Sequence, residues 1–201
     1  MTRRKFCAAL PAAGLIPALG ADPPVVLPVQ VLIDGRARWT PGQVEGFWSR
    51  LWREAAAEFQ HSGVQLAARK VEGEVRRTPG DRPIFHGAAP GAVNLVVTDL
   101  IPLLWDTGRG LAGVTTRYQG CDLCVIALTY AHANQVPFAS LNTCVHELLH
   151  ALLGDIDERN PAGAKGAARE FRVDWYATAL WLGGGSATVR EAARRYAGGR
   201  H

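Results

Sequence analysis

The sequence lacks internal repeats, low-complexity segments and any apolar run of the roughly 20 residues that a membrane-spanning helix needs. These absences argue against a repeat array, a compositionally biased chain and a transmembrane protein. The chain has 201 residues, of which 48% are hydrophobic, so it can bury one hydrophobic core. The sequence therefore predicts a single folded domain without a membrane span.

Net charge is also scarce once the N-terminal segment is set aside. The whole chain has 22 Lys and Arg against 18 Asp and Glu, a net charge of +4. Residues 1–20 contain Arg3, Arg4 and Lys5 and no acidic residue, which leaves 19 basic residues against 18 acidic ones. The remaining chain is nearly neutral, and we expect no nucleic-acid partner.

Residues 1–20 have the features of an export signal. A basic start that includes Arg3 and Arg4 precedes a short apolar stretch from Cys7 to Leu19, and Ala18-Leu19-Gly20 resembles a cleavage site. The paired arginines resemble a twin-arginine signal, with an ordinary secretory signal as the alternative. We therefore expect a signal peptide over 1–20, a mature domain over 21–201 and a periplasmic or extracellular location in a bacterium.

Few cysteines follow this segment, namely Cys121, Cys124 and Cys144. The Cys-x-x-Cys pair could belong to a metal knuckle or a redox site, but the sequence has no second such pair. In an exported protein we expect a single disulfide among these three cysteines, with one thiol left over. The sequence leaves open which two of them pair.

Periodic patterns predict an α+β fold with a twisted mixed sheet and a backing helix. Predicted strands cover Val25 to Ile33, Val64 to Arg77, Ala92 to Leu100, Leu111 to Tyr118 and Cys124 to Tyr130, and predicted helices cover about Thr40 to Gln60, Ser140 to Gly154, about Ala164 to Leu182 and about Ala187 to Tyr196. The stretch from Thr78 to Gly91, which contains His86, is polar and is predicted to be a turn. We interpret His86 as a surface histidine.

The predicted helix from Ser140 to Gly154 contains an H-E-x-x-H motif, His146-Glu147-Leu148-Leu149-His150. Two histidines four residues apart lie on one helix face, so both imidazoles can bind one zinc ion. The glutamate between them is suited to act as a general base toward a water at the open position of the ion. This pattern predicts a zinc hydrolase with Zn²⁺ as its cofactor and Glu147 as its catalytic residue.

A catalytic zinc usually has a third protein ligand, and a suitable carboxylate follows on the next predicted helix. Glu170 lies twenty residues after His150, and Asp174 follows one turn later. This arrangement resembles the thermolysin-type zincins, the gluzincins, over about residues 140 to 182. The resemblance implies a zincin-like fold, His146, His150 and Glu170 as zinc ligands, and Asp174 as the residue that orients His146.

Asp157 is the alternative third ligand. Some zincins have a glycine three residues and a histidine or aspartate six residues after the second histidine, where this chain has Leu153 and Ile156. Gly154 and Asp157 follow one position later, so this pattern fits less well than Glu170. The metzincin subgroup also requires a methionine beneath the zinc, and the only methionine is Met1.

The sequence thus predicts an exported zinc metallopeptidase that hydrolyses a peptide or protein substrate. Tyr130, His132 and Tyr176 are candidates for stabilising the oxyanion. An edge strand near Leu111 to Val114 could bind an extended peptide by strand addition. The alternatives are a zincin-fold binding or structural protein whose zinc is not catalytic, and a zinc amidase that acts on cell-wall peptide.

Overall fold

The computed structural model describes residues 22–35, 39–77, 83–98, 113–127, 142–154 and 164–199. The strands are β1 (Val25–Asp34), β2 (Val64–Arg77), β3 (Pro83–His86), β4 (Val93–Thr98), β5 (Gly113–Tyr118) and β6 (Cys121–Ala127). The helices are α1, in which Pro41–Gly46, a π-helical segment Phe47–Trp52 and Arg53–Gln60 follow one another, α2 (Thr143–Leu153), α3 (Ala164–Trp181) and α4 (Ala187–Ala197). The predicted signal segment, residues 1–20, lies outside the described residues.

The strands form one six-stranded mixed sheet in the order β3-β2-β1-β4-β6-β5. The four central strands are parallel, whereas β3 and β5 are antiparallel to their neighbours and form the two edges. The prediction of a mixed sheet combined with helices is therefore confirmed. In the described part of the chain, none of the helices combines the length and apolar character needed to cross a bilayer.

Helix α1 is the predicted backing helix and begins as its sequence predicts. Thr40 Oγ1 accepts a hydrogen bond from the Gln43 main-chain N–H, and the Gln43 side chain accepts one from the Thr40 N–H, which completes a capping box. The π-helical segment was not predicted, because its apolar residues also fit an ordinary helical period. Its residue Leu51 is buried, and the main-chain carbonyl of Leu51 accepts a hydrogen bond from the Asn142 side chain at 2.6 Å.

The sheet separates two hydrophobic clusters because alternate residues of a strand point to opposite faces. The larger cluster joins one face of the sheet to all four helices and includes Leu27, Val29, Leu95, Ile126, Phe59, Leu148, Leu180 and Ala193. The smaller cluster lies on the other face and includes Leu32, Val75, Phe85, Val96, Leu123 and Val125. Helix α2 therefore lies on the larger cluster, where Leu148 and Leu149 are completely buried.

Strand β3 corrects the prediction of a turn over Thr78 to Gly91. Its four residues pair with the far end of the 14-residue strand β2, with Val75 opposite Phe85. The Phe85 ring is buried and contacts the Tyr118 ring edge to face at 5.5 Å. A strand this short has no recognisable period of its own, so the long neighbouring strand decides its conformation.

The predicted disulfide is wrong, because Cys121, Cys124 and Cys144 are all free and buried. Cys121 and Cys124 lie three residues apart on β6, which separates their Cα atoms by about 10 Å and places them in different clusters. A disulfide requires a Cα separation below about 7 Å. Cys124 and Cys144 share the larger cluster, but the Cys124 thiol instead donates to the Glu147 main-chain oxygen at 3.2 Å.

The turn between α3 and α4 packs tightly against the end of α1. His61 Nδ1 lies 2.8 Å from the Leu180 carbonyl oxygen, and Ser62 Oγ accepts a hydrogen bond from the Ser186 N–H at 2.9 Å. A Cβ atom at Gly185 would lie 2.4 Å from the His61 carbonyl oxygen. Only glycine allows this approach of two backbones, which explains the glycine run that ends α3.

We therefore expect Gly185→Ala to lower the free energy of unfolding by about 1–3 kcal/mol, since a backbone must move to admit the added methyl group. Gly42→Ala is the matched control, because a Cβ atom at Gly42 meets nothing within 4 Å. Chemical denaturation of both variants and the parent measures the difference. Equal stability of the two variants would contradict the packing described for this turn.

Glu58 is a buried carboxyl group in α1 that destabilises the folded state when it is ionised. Its side chain is 9% exposed, and its Oε2 atom has no hydrogen-bond partner in the described part of the chain. Burial, and then the charge of Glu54, raise the pKa of Glu58 from 4.5 to about 7. A raised carboxyl pKa means that the folded state disfavours the ionised form.

Glu58→Gln should therefore stabilise the protein at high pH but not at low pH. The penalty from ionised Glu58 is absent below its unfolded pKa of 4.5, grows as the pH rises toward its folded pKa of about 7 and is complete above it. Denaturation of metal-free parent and variant at about pH 4 and about pH 8 tests this difference. Glu45→Gln, at an exposed position of the same helix, is the control, and an equal gain at both pH values would refute the assignment.

Candidate metal centre

Helix α2 places two imidazoles one turn apart. The Asn142 side chain caps its start by accepting a hydrogen bond from the Cys144 N–H, and Gly154 ends it with a left-handed φ of 70°. His146 and His150 lie on the same side of this helix, with 3.0 Å between their Nε2 atoms. The helix itself therefore positions the two imidazoles so that both ring nitrogens face one point.

Helix α3 brings Glu170 to the same point. Its Oε2 atom lies 3.1 Å from His146 Nε2, and its Oε1 atom lies 3.2 Å from His150 Nε2. The ligand atoms of the three residues all lie within 4.8 Å of one another. Tetrahedral zinc with bonds of about 2.0–2.1 Å requires ligand atoms about 3.3 Å apart, so two nitrogens 3.0 Å apart, each close to an oxygen of the same carboxylate, suit this metal.

Asp174 contacts the ring nitrogen of His146 that faces away from Glu170. Its Oδ1 atom lies 3.2 Å from His146 Nδ1, one helical turn beyond Glu170 on α3. When His146 donates its Nδ1 proton to this carboxylate, the lone pair of Nε2 is free to bind a metal ion. Two carboxylates of α3 therefore act on the two ring nitrogens of one histidine.

The electrostatics of the cluster follow from these contacts. Burial by itself would lower the pKa of His146, but hydrogen bonds to Asp174 and then Glu170 outweigh it and raise the pKa to about 10. Hydrogen bonds from His146 and His150 hold the pKa of Glu170 well below its usual range. Glu170 is thus fully ionised at neutral pH and can act as an anionic ligand.

The Glu147 side chain lies against β5. Its side chain is 4% exposed, and its Oε2 atom lies 2.7 Å from Thr115 Oγ1. Burial raises the pKa of Glu147, while the charges of His146 and then His150 oppose this rise. A glutamate whose pKa is raised by burial is suited to exchange a proton near neutral pH.

The sequence did not predict the residues that surround Glu147. Thr115 and Cys124 both form hydrogen bonds to the main-chain oxygen of Glu147, at 2.9 and 3.2 Å. They are directly opposite each other on β5 and β6, and Gly113 lies two residues earlier on β5. Only the register of the two strands brings them together, so the sequence offered no signal beyond the predicted edge strand.

Two other predicted residues that the structure describes, His86 and Tyr176, are not part of this cluster. His86 is exposed at the end of β3, which agrees with its interpretation as a surface histidine. Tyr176 is half-buried against the hydrophobic core, with its ring 4.8 Å from that of Trp175. Asp157, Tyr130 and His132 lie outside the described residues, as do Leu111 and Ala112 of the predicted peptide-binding strand.

Comparisons of the chain with protein-family models, curated proteins and solved structures find no match. The resemblance to gluzincins therefore depends on the motif and on the residues of α3 alone.

Glu170→Ala should reduce bound zinc from about one per chain to a small fraction, because it removes the anionic ligand of the three. Asp157→Ala should leave the zinc content unchanged, and Glu191→Ala, at an exposed position of α4, is the control. Metal analysis of the purified proteins after dialysis against a weak chelator measures this. Zinc loss in Asp157→Ala with retention in Glu170→Ala would assign the third ligand to Asp157.

Proposed function

We propose that this protein is an exported zinc metallopeptidase of gluzincin type with a zincin-like fold. The main support is the cluster of two histidine nitrogens 3.0 Å apart, with one oxygen of the Glu170 carboxylate 3.1 Å from His146 Nε2 and the other 3.2 Å from His150 Nε2. The order of the residues along the chain, with H-E-x-x-H on one helix and Glu170 and Asp174 on the next, adds to this support. Export depends on the signal predicted over residues 1–20.

Each residue of the centre has a role in the proposed reaction. His146, His150 and Glu170 hold the metal, and Asp174 fixes the orientation of His146. When bound, zinc supplies Lewis acidity that lowers the pKa of a water molecule toward ~7 and polarises the scissile carbonyl. Glu147 removes the proton from the attacking water and later delivers it to the leaving amine.

Strand β5 is the proposed site for the substrate backbone. It is an edge strand, so in the described sheet only one side of it is paired, with β6. The Glu147 carboxyl group is in hydrogen-bond contact with Thr115 of this strand. An extended peptide that pairs with the open edge would therefore run close to the general base.

Glu147→Gln should abolish turnover while zinc remains bound, because the amide matches the shape of the carboxyl group but cannot accept the proton. We expect kcat to fall by about 10²–10⁴-fold, the usual contribution of a general base. Hydrolysis of an unfolded protein by the mature protein, with and without a chelator, provides the assay. Zinc content and thermal unfolding of the variant show that it is loaded and folded.

The same assay separates the alternatives. Stoichiometric zinc in the parent with no cleavage of unfolded protein or of peptides would favour a binding or structural protein with a non-catalytic site. Cleavage limited to cell-wall peptide would favour the amidase. Turnover that persists in Glu147→Gln would refute the proposed role of Glu147.

A further inference from the structure

Three residues of β5 and β6, namely Thr115, Cys124 and Gly113, lie against Glu147. Thr115 Oγ1 lies 2.7 Å from Glu147 Oε2 and 2.9 Å from the Glu147 main-chain oxygen. Cys124, directly opposite Thr115 in the sheet, donates its thiol to the same main-chain oxygen at 3.2 Å. Both ends of Glu147, the carboxyl group and the backbone, are therefore tied to the sheet.

Gly113 contributes space where Thr115 contributes a hydrogen bond. A Cβ atom at Gly113 would lie 2.5 Å from Glu147 Oε1 and 2.7 Å from Glu147 Cγ. Residues 113 and 115 lie on the same face of β5, since they are two apart. Strand β5 therefore leaves space for the Glu147 side chain at Gly113 and presents a hydroxyl group to its carboxyl group at Thr115.

A hydroxyl group suits this position for a chemical reason. It carries one hydrogen and two lone pairs, so it can donate to an ionised carboxylate or accept from a protonated one. When it accepts from the carboxyl group, its own hydrogen is free for the Glu147 main-chain oxygen at 2.9 Å. Thr115 Oγ1 thus lies within hydrogen-bond distance of both the carboxyl group and the main-chain oxygen of Glu147.

We propose that Thr115 is a positioning residue for the general base, acting through its hydrogen bond to the Glu147 carboxyl group in the space that Gly113 leaves open. This inference rests on the proposed function for its catalytic meaning. Thr115 contacts Glu147 and none of the three proposed ligands in the described structure. Its loss should therefore affect the rate of the reaction and leave metal binding intact.

The test compares Thr115→Val, which keeps the branched shape without the hydroxyl, with Thr115→Ser, which keeps the hydroxyl. We expect Thr115→Val to lower kcat by ~10–100-fold, because a displaced catalytic group loses its alignment. KM and zinc content should stay close to those of the parent. Thr115→Ser should restore kcat to within a few-fold of the parent.

Thr188→Val is the matched control, since Thr188 is exposed on α4 and belongs neither to the proposed metal centre nor to β5. It should leave kcat unchanged. Gly113→Ala provides a second route to the same outcome, because its added methyl group should displace Glu147 and lower kcat with zinc retained. Unchanged kcat in Thr115→Val, or equal losses in Thr115→Ser and Thr115→Val, would overturn the inference.

Crystal structures of the zinc-loaded parent, Thr115→Val and Thr115→Ser give a readout that needs no turnover. The Glu147 carboxyl group should keep its position in the parent and the serine variant and move in the valine variant. If the parent proves inactive, the proposed function fails, but this displacement still tests the positioning role. A Glu147 side chain that stays in place in Thr115→Val would refute that role independently.

Discussion

The central constraint in this protein is the burial of a carboxyl group beside two imidazoles. An unpaired buried carboxylate costs several kcal/mol, so Glu147 can lie inside the protein only if neighbours compensate for its lost hydration. Thr115 supplies a hydrogen bond, and the histidines on either side supply favourable electrostatic interactions. The close approach of β5 to α2 follows from this need, because the hydroxyl group and the glycine must both reach the same side chain.

A second requirement is that α2 must be fixed along its own axis. Its cap residue, Asn142, accepts a hydrogen bond from the Cys144 N–H and donates one to the Leu51 carbonyl oxygen in the π-helical segment of α1. The backing helix therefore contributes to the site through its backbone as well as through packing. Leu148 and Leu149 bury the opposite side of α2 against the sheet, which leaves the histidines facing α3.

The sequence predicted well whatever depends on local periodicity. The end of α2 at Gly154 and the span of α3 follow from glycines and apolar spacing, so His146, His150, Glu170 and Asp174 could be placed on their helices and expected to meet, although α2 begins at Thr143, after the cap Asn142, and not at Ser140. The sequence could not predict β3, the π-helical segment or the support of Glu147 by Thr115, because these depend on strand register and on contacts between distant residues. The disulfide prediction failed for a related reason, since cysteine spacing alone does not show that Cys121 and Cys124 point to opposite faces of the sheet.

The proposed metal ligands and the residues that hold Glu147 and α2 differ in how far apart along the chain the contacting residues lie. His146 and Glu170 are 24 residues apart on successive helices, whereas Glu147 is 32 residues from Thr115 and Asn142 is 91 residues from Leu51. Loop-closure entropy grows only with the logarithm of this separation, so 24 and 32 residues differ by only about 0.3 kcal/mol. The distinction lies in the elements: α2 and α3 alone supply the proposed ligands, whereas β5 must also dock to hold the base, so a chain with β5 undocked would capture metal while it is still unable to use it.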